Sequence, residues 1–154
     1  MQELSGYIRE SIERSRLLYI GVTLDEYSKN VLEEFFEKHN PWKNANIKKI
    51  CHHMTIAFKT NVNDELYKWS ITNTNKNYKL KVLGYGWSNK AFAVFVDTIV
   101  PSANKVKHIT CAVNLDKNGK SLDSNGINNW KTINEPIFLS GNVKFHYTKN
   151  EAQN

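Results

Sequence analysis

The chain contains only two cysteines, Cys51 and Cys111, among its 154 residues. Two thiols make no disulfide framework, and single buried thiols are ordinary in strands, so the sequence favours a reducing compartment. The amino-terminal segment is rich in Glu and Arg and has no apolar run long enough for a signal peptide or membrane span. We therefore expect a soluble cytoplasmic protein with no membrane association.

Common metal-binding patterns are also missing. Neither CxxC nor HExxH spacing occurs in the sequence. Cys51 is expected on the same strand face as His53, whereas Cys111 is expected on the face opposite His108. The four side chains therefore do not converge on one ion. We expect no metal site and no cofactor.

Size and charge limit the class of protein further. With 154 residues and 40% hydrophobic composition, the chain is expected to form a single domain, residues 1–154, with one sizeable core. The net charge of +6 favours an anionic partner such as nucleic acid or another phosphorylated ligand. Solubility alone is the other explanation of this mild basicity.

Two segments share one polar pattern, His53-Met54-Thr55-Ile56 and His108-Ile109-Thr110-Cys111. Both lie in apolar runs typical of strands, where residues two apart point to the same face. Each segment therefore presents an imidazole and a hydroxyl to one surface. Chance is the alternative explanation, because β-branched strands often contain threonine and the chain has nine.

This pair of motifs suits phosphate-ester chemistry without a metal. One imidazole can accept a proton from water while the other protonates the leaving oxygen, since histidine exchanges protons near neutral pH. Our hypothesis makes His108 the base and His53 the acid, with Thr55 and Thr110 binding the phosphate, although the two histidine roles could be exchanged. His52 is expected to face away from His53 and to be structural, and neither His39 nor His146 has a motif partner.

Periodicity predicts an α+β fold in which a sheet covers a sheet or helices. A capping box at Thr23 and Glu26 predicts a helix that ends near residues 40–41. The other predicted segments are strands at 17–22, 47–58, 80–87, 91–96, 106–114 and 137–147, helical turns at 64–70, a short helix at 7–16, and a helix at 125–131 capped by Ser124 or Asp123.

On these motifs the chain resembles the two-histidine phosphoesterase superfamily, which carries paired histidine-x-threonine/serine motifs on strands. The segment 103–110, Ala-Asn-Lys-Val-Lys-His-Ile-Thr, and the pair Ser124-Asn125 resemble in particular the cyclic phosphodiesterase domain of fungal-type tRNA ligases. The resemblance implies a two-lobed, pseudo-symmetric fold of antiparallel sheets with flanking helices. It also implies metal-free hydrolysis of a ribose 2′,3′-cyclic phosphate, to a 2′-phosphate, in RNA repair or tRNA processing.

Further residues are candidates for binding the substrate. Tyr19, Tyr85 and Trp87 could stack on a nucleobase, although core packing is the more ordinary role of such rings. Lys105 could contact phosphate or ribose, although most lysines lie in solvent. Ser124 and Asn125 are substrate contacts in the resemblance, but they could equally cap a helix.

We therefore expect a monomeric phosphodiesterase acting on RNA with a cyclic phosphate end or on a small nucleotide. An alternative enzyme with the same four motif residues would degrade signalling oligonucleotides, either cyclic or 2′,5′-linked oligoadenylate. A non-catalytic RNA-binding module is the alternative from another class, and it predicts salt-dependent binding with no product.

Overall fold

A computed structural model describes residues 16–148, so most of the helix predicted at 7–16 lies outside the described residues. Within this range the chain forms seven strands, two α-helices and two short 3₁₀ helices. In chain order the main elements are β1 (Leu17–Leu24), α1 (Glu26–His39), β2 (Ile47–Lys49), β3 (His53–Phe58), α2 (Asp64–Thr72), β4 (Asn77–Trp87), β5 (Ala91–Asp97), β6 (His108–Asn114) and β7 (Lys131–Tyr147). The 3₁₀ helices span Leu115–Lys117 and Ser121–Gly126.

All seven strands belong to one antiparallel sheet in the order β2-β6-β3-β1-β7-β4-β5. β5 also pairs with β6, so the sheet closes on itself. The predicted α+β class is confirmed. The resemblance implied several antiparallel sheets, whereas the described strands form one continuous sheet.

The core fills the space inside the sheet and under α1. β6 is buried at each of its seven positions, because it has neighbours on both edges and is covered on both faces. Leu32 and Phe36 lie one helical turn apart on α1 and are fully buried, which fixes this helix against the core. The strand of the second motif is therefore buried along its whole length.

The start of α1 differs from the prediction. Asp25, not Thr23, caps the helix, and its carboxylate accepts a 2.8 Å hydrogen bond from the Ser28 amide. Thr23 is still part of β1, and its hydroxyl contacts the ring of His146 at 3.1 Å. The predicted end near residue 40 is confirmed, since Pro41 disfavours helical geometry at the residue before it.

The strand predicted at 47–58 is broken in the middle. Lys49 pairs with Ala112, and Met54 pairs with Ile109. The chain therefore advances five residues between these two pairs, whereas β6 advances only three. The extra length is taken up around Cys51, whose φ of 46° lies in the left-handed region that residues other than glycine rarely adopt. Strand alternation is therefore lost immediately before the first motif.

The helix predicted at 125–131 does not form. The chain makes a 3₁₀ helix over Ser121–Gly126 and enters β7 at Lys131, which pairs with Tyr85. Gly126 weakens helix propagation, and residues 127–130 form an irregular connection to β7. No helix in the described range is both long and apolar enough to cross a membrane.

Candidate active site

The two motifs lie side by side on neighbouring strands. Met54 of β3 pairs with Ile109 of β6, and both of these side chains are fully buried in the core. In an antiparallel pair the flanking residues then share the opposite face, with His53 across from Thr110 and Thr55 across from His108. The arrangement is diagonal, because each histidine lies across from the threonine of the other motif.

This face borders a cavity of about 200 Å³. Thr55, His108 and Thr110 are nearly buried, and His53 is half-buried, so each reaches the cavity with little exposure to bulk water. The residues that line it are Tyr19, Ile50, His53, Thr55, Phe58, Asn104, His108, Thr110, Ser121, Leu122 and Asn125. The structure thus brings together all four motif residues that the sequence singled out.

His53 is held in place by ring stacking. The ring of Tyr19 lies 4.3 Å from the His53 ring, centroid to centroid, with 20° between their planes. The ring of Tyr19 also stacks on His146 at 4.4 Å and 15°. Tyr19 lines the cavity, and its ring packs on these two imidazoles, so it supports His53.

A second imidazole contacts the edge of the His53 ring. The Nδ1 atoms of His52 and His53 lie 2.9 Å apart, at hydrogen-bond distance. Strand alternation predicts His52 on the opposite face, and this prediction is wrong because the positive φ of Cys51 interrupts the alternation. His146 has no motif partner in the sequence, and its position opposite Tyr19 depends on a β1–β7 register that the sequence does not reveal.

Burial and neighbouring histidines keep the His53 ring neutral. Burial is the main cause that lowers its pKa to about 3, and the nearby charges of His52, His146 and His108 lower it further. Burial also lowers the pKa of His146. A neutral imidazole at physiological pH can accept a proton, but it is too weak an acid to protonate a leaving group.

His108 has a different partner. Its Nδ1–H donates a 2.8 Å hydrogen bond to the Val106 carbonyl, which fixes the ring orientation and leaves Nε2 free. Burial lowers the pKa of His108, but the bond to the Val106 carbonyl stabilises the charged ring and opposes that fall. The two motif histidines therefore differ in how readily they hold a second proton.

Each threonine hydroxyl also has a contact. Thr55 Oγ1 lies 3.1 Å from His53 Nε2, within the same motif. Thr110 Oγ1 lies 2.7 Å from Ser124 Oγ and 3.4 Å from the Ser121 carbonyl, to which it donates. Ser124 is 1% exposed, and its contact holds the Thr110 hydroxyl in place.

The remaining predicted residues fall in different places. Asn125 lines the cavity, whereas Lys105 lines a neighbouring groove. Tyr85 and Trp87 stack on each other at 5.8 Å on β4, away from the cavity, so they have the packing role. His39 packs against Phe35 and Tyr85, also outside the site.

The loop between β5 and β6 is tied to the first motif strand. Ser102 Oγ donates a 2.8 Å hydrogen bond to the Thr55 carbonyl, and the Ala103 amide donates one of 2.7 Å to the Ile56 carbonyl. These bonds bring Asn104 to the edge of the cavity. Within residues 16–148, no group of three or more His, Cys, Asp or Glu side chains has an arrangement able to hold a metal ion.

Comparison with known proteins shows a shared fold but assigns this chain to no family. No protein-family profile matches the sequence, and no curated protein sequence matches it. A crystal structure of a fungal RNA kinase matches with a TM-score of 0.50 and 13% sequence identity. The match covers 85% of this chain and 44% of the other, so the chain spans less than half of that protein. At this identity the likeness shows a shared fold.

Proposed function

We propose that this protein is a metal-independent phosphodiesterase that opens a 2′,3′-cyclic phosphate, at RNA ends or on nucleotides, to give a 2′-phosphate. The observation that carries the proposal is the diagonal arrangement of two histidines and two threonines around one cavity. The fold shared with a fungal RNA kinase and the net charge of +6 support an RNA substrate.

The four side chains have complementary uses on a phosphoryl group. The hydroxyls of Thr55 and Thr110 donate to the two non-bridging oxygens once substrate displaces their present contacts. The imidazoles of His53 and His108 then lie on opposite sides of phosphorus, as in-line displacement requires. Donors carried on strands in a largely buried cavity stabilise the developing charge, because little solvent competes with them.

The contacts of the two rings indicate which is base and which is acid. His53 lies among three other histidines, so the neutral form is favoured there. His108 has a carbonyl acceptor at Nδ1, which favours its charged form. When the two histidines together carry one positive charge, the state in which His108 is the charged ring is therefore favoured. This makes His53 the base and His108 the acid, the reverse of the assignment that the sequence suggested.

The reaction then proceeds in one displacement. His53 Nε2 takes a proton from water as the water oxygen bonds to phosphorus. The bond from phosphorus to the ribose 3′ oxygen breaks, and His108 Nε2–H gives its proton to that oxygen. The product is a 2′-phosphate with a free 3′ hydroxyl, and transfer of a proton between the histidines through solvent restores the enzyme.

The test is to incubate the protein with an RNA that ends in a 2′,3′-cyclic phosphate and to identify the product isomer by chromatography. We expect a 2′-phosphate in the presence of excess chelator. His53→Ala and His108→Ala should each lower kcat by at least about 10²-fold. His39→Ala is the matched control and should keep the wild-type rate, because His39 packs on Phe35 outside the cavity.

Other outcomes are informative in the same experiment. A panel of nucleoside 2′,3′-cyclic phosphate, 2′,5′-oligoadenylate and cyclic dinucleotides shows whether a signalling oligonucleotide is preferred over an RNA end. Salt-dependent RNA binding without any product, unchanged in the double-histidine variant, would identify a binding module and refute the proposal.

A further inference from the structure

A second depression opens beside His108. It has a volume of about 480 Å³ and shares Asn104, His108 and Asn125 with the catalytic cavity, so the two spaces adjoin. Its other lining residues are Ala103, Lys105, Val106, Ser124, Ile127, Asn128 and Trp130. We call this depression the Trp130 groove. Its volume lies within the range that suits a small organic ligand.

The aromatic wall of the groove is fixed by packing. A Cβ atom on Gly86 would lie 2.8 Å from Trp130 Cε3, so the indole rests directly on the backbone of β4. The ring of Phe95 meets the indole edge to face at 5.5 Å, with 74° between their planes. Trp130 is half-buried, so part of its ring stays accessible in the groove while its position is held.

The aromatic wall lies close to the chemistry. The Trp130 and His108 ring centroids are 6.5 Å apart. A nucleobase stacked on Trp130 would therefore have its ribose beside His108 and its cyclic phosphate in the adjoining cavity. Base stacking on a protein aromatic ring is favourable for every base, because each base has a flat face.

The polar residues of the groove suit the edge of a base. Asn104, Asn125 and Asn128 each carry an amide that donates and accepts hydrogen bonds. The lining residues include no carboxylate that would repel the phosphate, and Lys105 adds a positive charge at the rim. Val106 and Ile127 complete an apolar wall. Together these features fit a neutral, flat heterocycle attached to an anionic sugar phosphate.

We infer that the Trp130 groove binds the nucleobase and ribose of the substrate, with Trp130 as the stacking residue, so that the ribose leaving oxygen lies next to His108. This inference rests on the proposed phosphodiesterase activity and names the substrate class as a nucleoside cyclic phosphate. It also agrees with His108 as the acid, since the leaving oxygen belongs to the ribose. The attacking water then approaches from the His53 side.

The test compares two substrates that differ only in the base, adenosine 2′,3′-cyclic phosphate and 1-O-methylribose 2′,3′-cyclic phosphate. For Trp130→Ala we expect KM for the adenosine substrate to rise about tenfold, with kcat and the base-free reaction unchanged. Trp130→Phe keeps an aromatic face and should recover most of the loss. Tyr27→Ala is the control, because Tyr27 is an aromatic residue on α1 that is 75% exposed and remote from the groove.

The results separate this inference from the proposed activity. Hydrolysis of the base-free substrate by the wild-type protein tests the activity alone. An equal change for both substrates in Trp130→Ala, or no change for either, would overturn the groove as a base site. If the wild-type protein cleaves neither substrate, binding of adenosine 2′-monophosphate is measured by calorimetric titration. Binding to Trp130→Ala that is about tenfold weaker than to the wild-type protein would support the groove as a base site. Equal binding to both proteins, or no binding, would refute it.

Discussion

The Nδ1 atoms of His52 and His53 lie 2.9 Å apart, so one ring donates and the other accepts. For His53 Nε2 to accept a proton from water, the hydrogen of the neutral ring must be on Nδ1 and point to His52. His52 then accepts at Nδ1, and the Thr55 hydroxyl, 3.1 Å from His53 Nε2, can donate. In this arrangement the residue before the motif supplies the acceptor for the tautomer that the motif histidine needs as a base.

The first prediction concerns this tautomer control. His52→Ala removes the acceptor at Nδ1 and should lower kcat/KM by at least about tenfold, because a catalytic imidazole in the wrong tautomer is a poor base. Loss of a neighbouring positive charge should also raise the pKa of His53 and shift the acidic limb of the pH–rate profile to higher pH. His52→Asn keeps an acceptor and should restore part of the rate.

The pH profile is the decisive measurement, because a purely structural role for His52 would lower activity without moving either limb. His39→Ala again serves as the matched control, since it removes an imidazole that lies outside the cavity. An unchanged profile in His52→Ala would contradict the proposed role.

The second prediction separates acid from base. A cyclic substrate with sulfur in place of the 3′ oxygen leaves as a thiolate, which needs no proton from the enzyme. If His108 is the acid, His108→Ala should recover most of the wild-type rate on this substrate, whereas His53→Ala should remain at least about 10²-fold slower. Single-turnover rates on the oxygen and sulfur substrates provide the comparison, and recovery by His53→Ala instead would reverse the assignment.

The third prediction concerns the space over β1 into which the His53 ring fits. A Cβ atom on Gly21 would lie 2.9 Å from the Met54 carbonyl oxygen and 3.1 Å from His53 Cδ2. Gly21→Ala should therefore displace the ring, lower kcat about tenfold, and cost about 1–3 kcal/mol of unfolding free energy through overpacking.

Gly126→Ala provides the control for this substitution, because nothing lies within 4 Å of the added carbon. Urea denaturation and turnover should be measured for both variants. Wild-type turnover in Gly21→Ala would show that the ring position is not set by this contact.

The fourth prediction is a loss of stability in acid. Unfolded histidine titrates near pH 6.5, whereas burial and neighbouring charges lower the pKa of folded His53 to about 3. Above pH 6.5 both states are neutral, so the stabilisation is fully present. Between pH 6.5 and 3 the unfolded chain binds a proton that the folded protein does not, and the unfolding free energy falls by up to about 1.4 kcal/mol per pH unit.

His53→Asn removes this titration and should flatten the dependence. Urea midpoints of the wild-type protein and the variant, measured at intervals from pH 7 to pH 4, should therefore converge as the pH falls. Parallel curves would mean that His53 titrates alike in the folded and unfolded states.

Much of the site follows from strand geometry alone. The two-residue spacing of His53 and Thr55, and of His108 and Thr110, places each pair on one face wherever the strand lies. Their meeting could not be derived from spacing, because it depends on which strands become neighbours in the sheet. The resemblance to a known superfamily, and not periodicity, suggested that outcome.

The supporting contacts were hidden from sequence reasoning for physical reasons. Cys51 adopts a left-handed φ that its residue type does not signal, and this single angle turns His52 toward His53. His146 reaches Tyr19 through a long-range register. The sequence suggested that Ser124 caps a helix. Its hydroxyl instead forms a hydrogen bond with the Thr110 hydroxyl, because buried hydroxyl groups need a hydrogen-bond partner.

The placement of β7 makes assembly of the site dependent on synthesis of the whole domain. Both motifs have been synthesised by residue 110, yet β1 gains its second neighbour, and Tyr19 its contact with His146, only when β7 is present. A nascent chain that is still missing this strand carries every reacting group without the support behind His53. The proposed site is therefore complete only after β7 has joined the sheet.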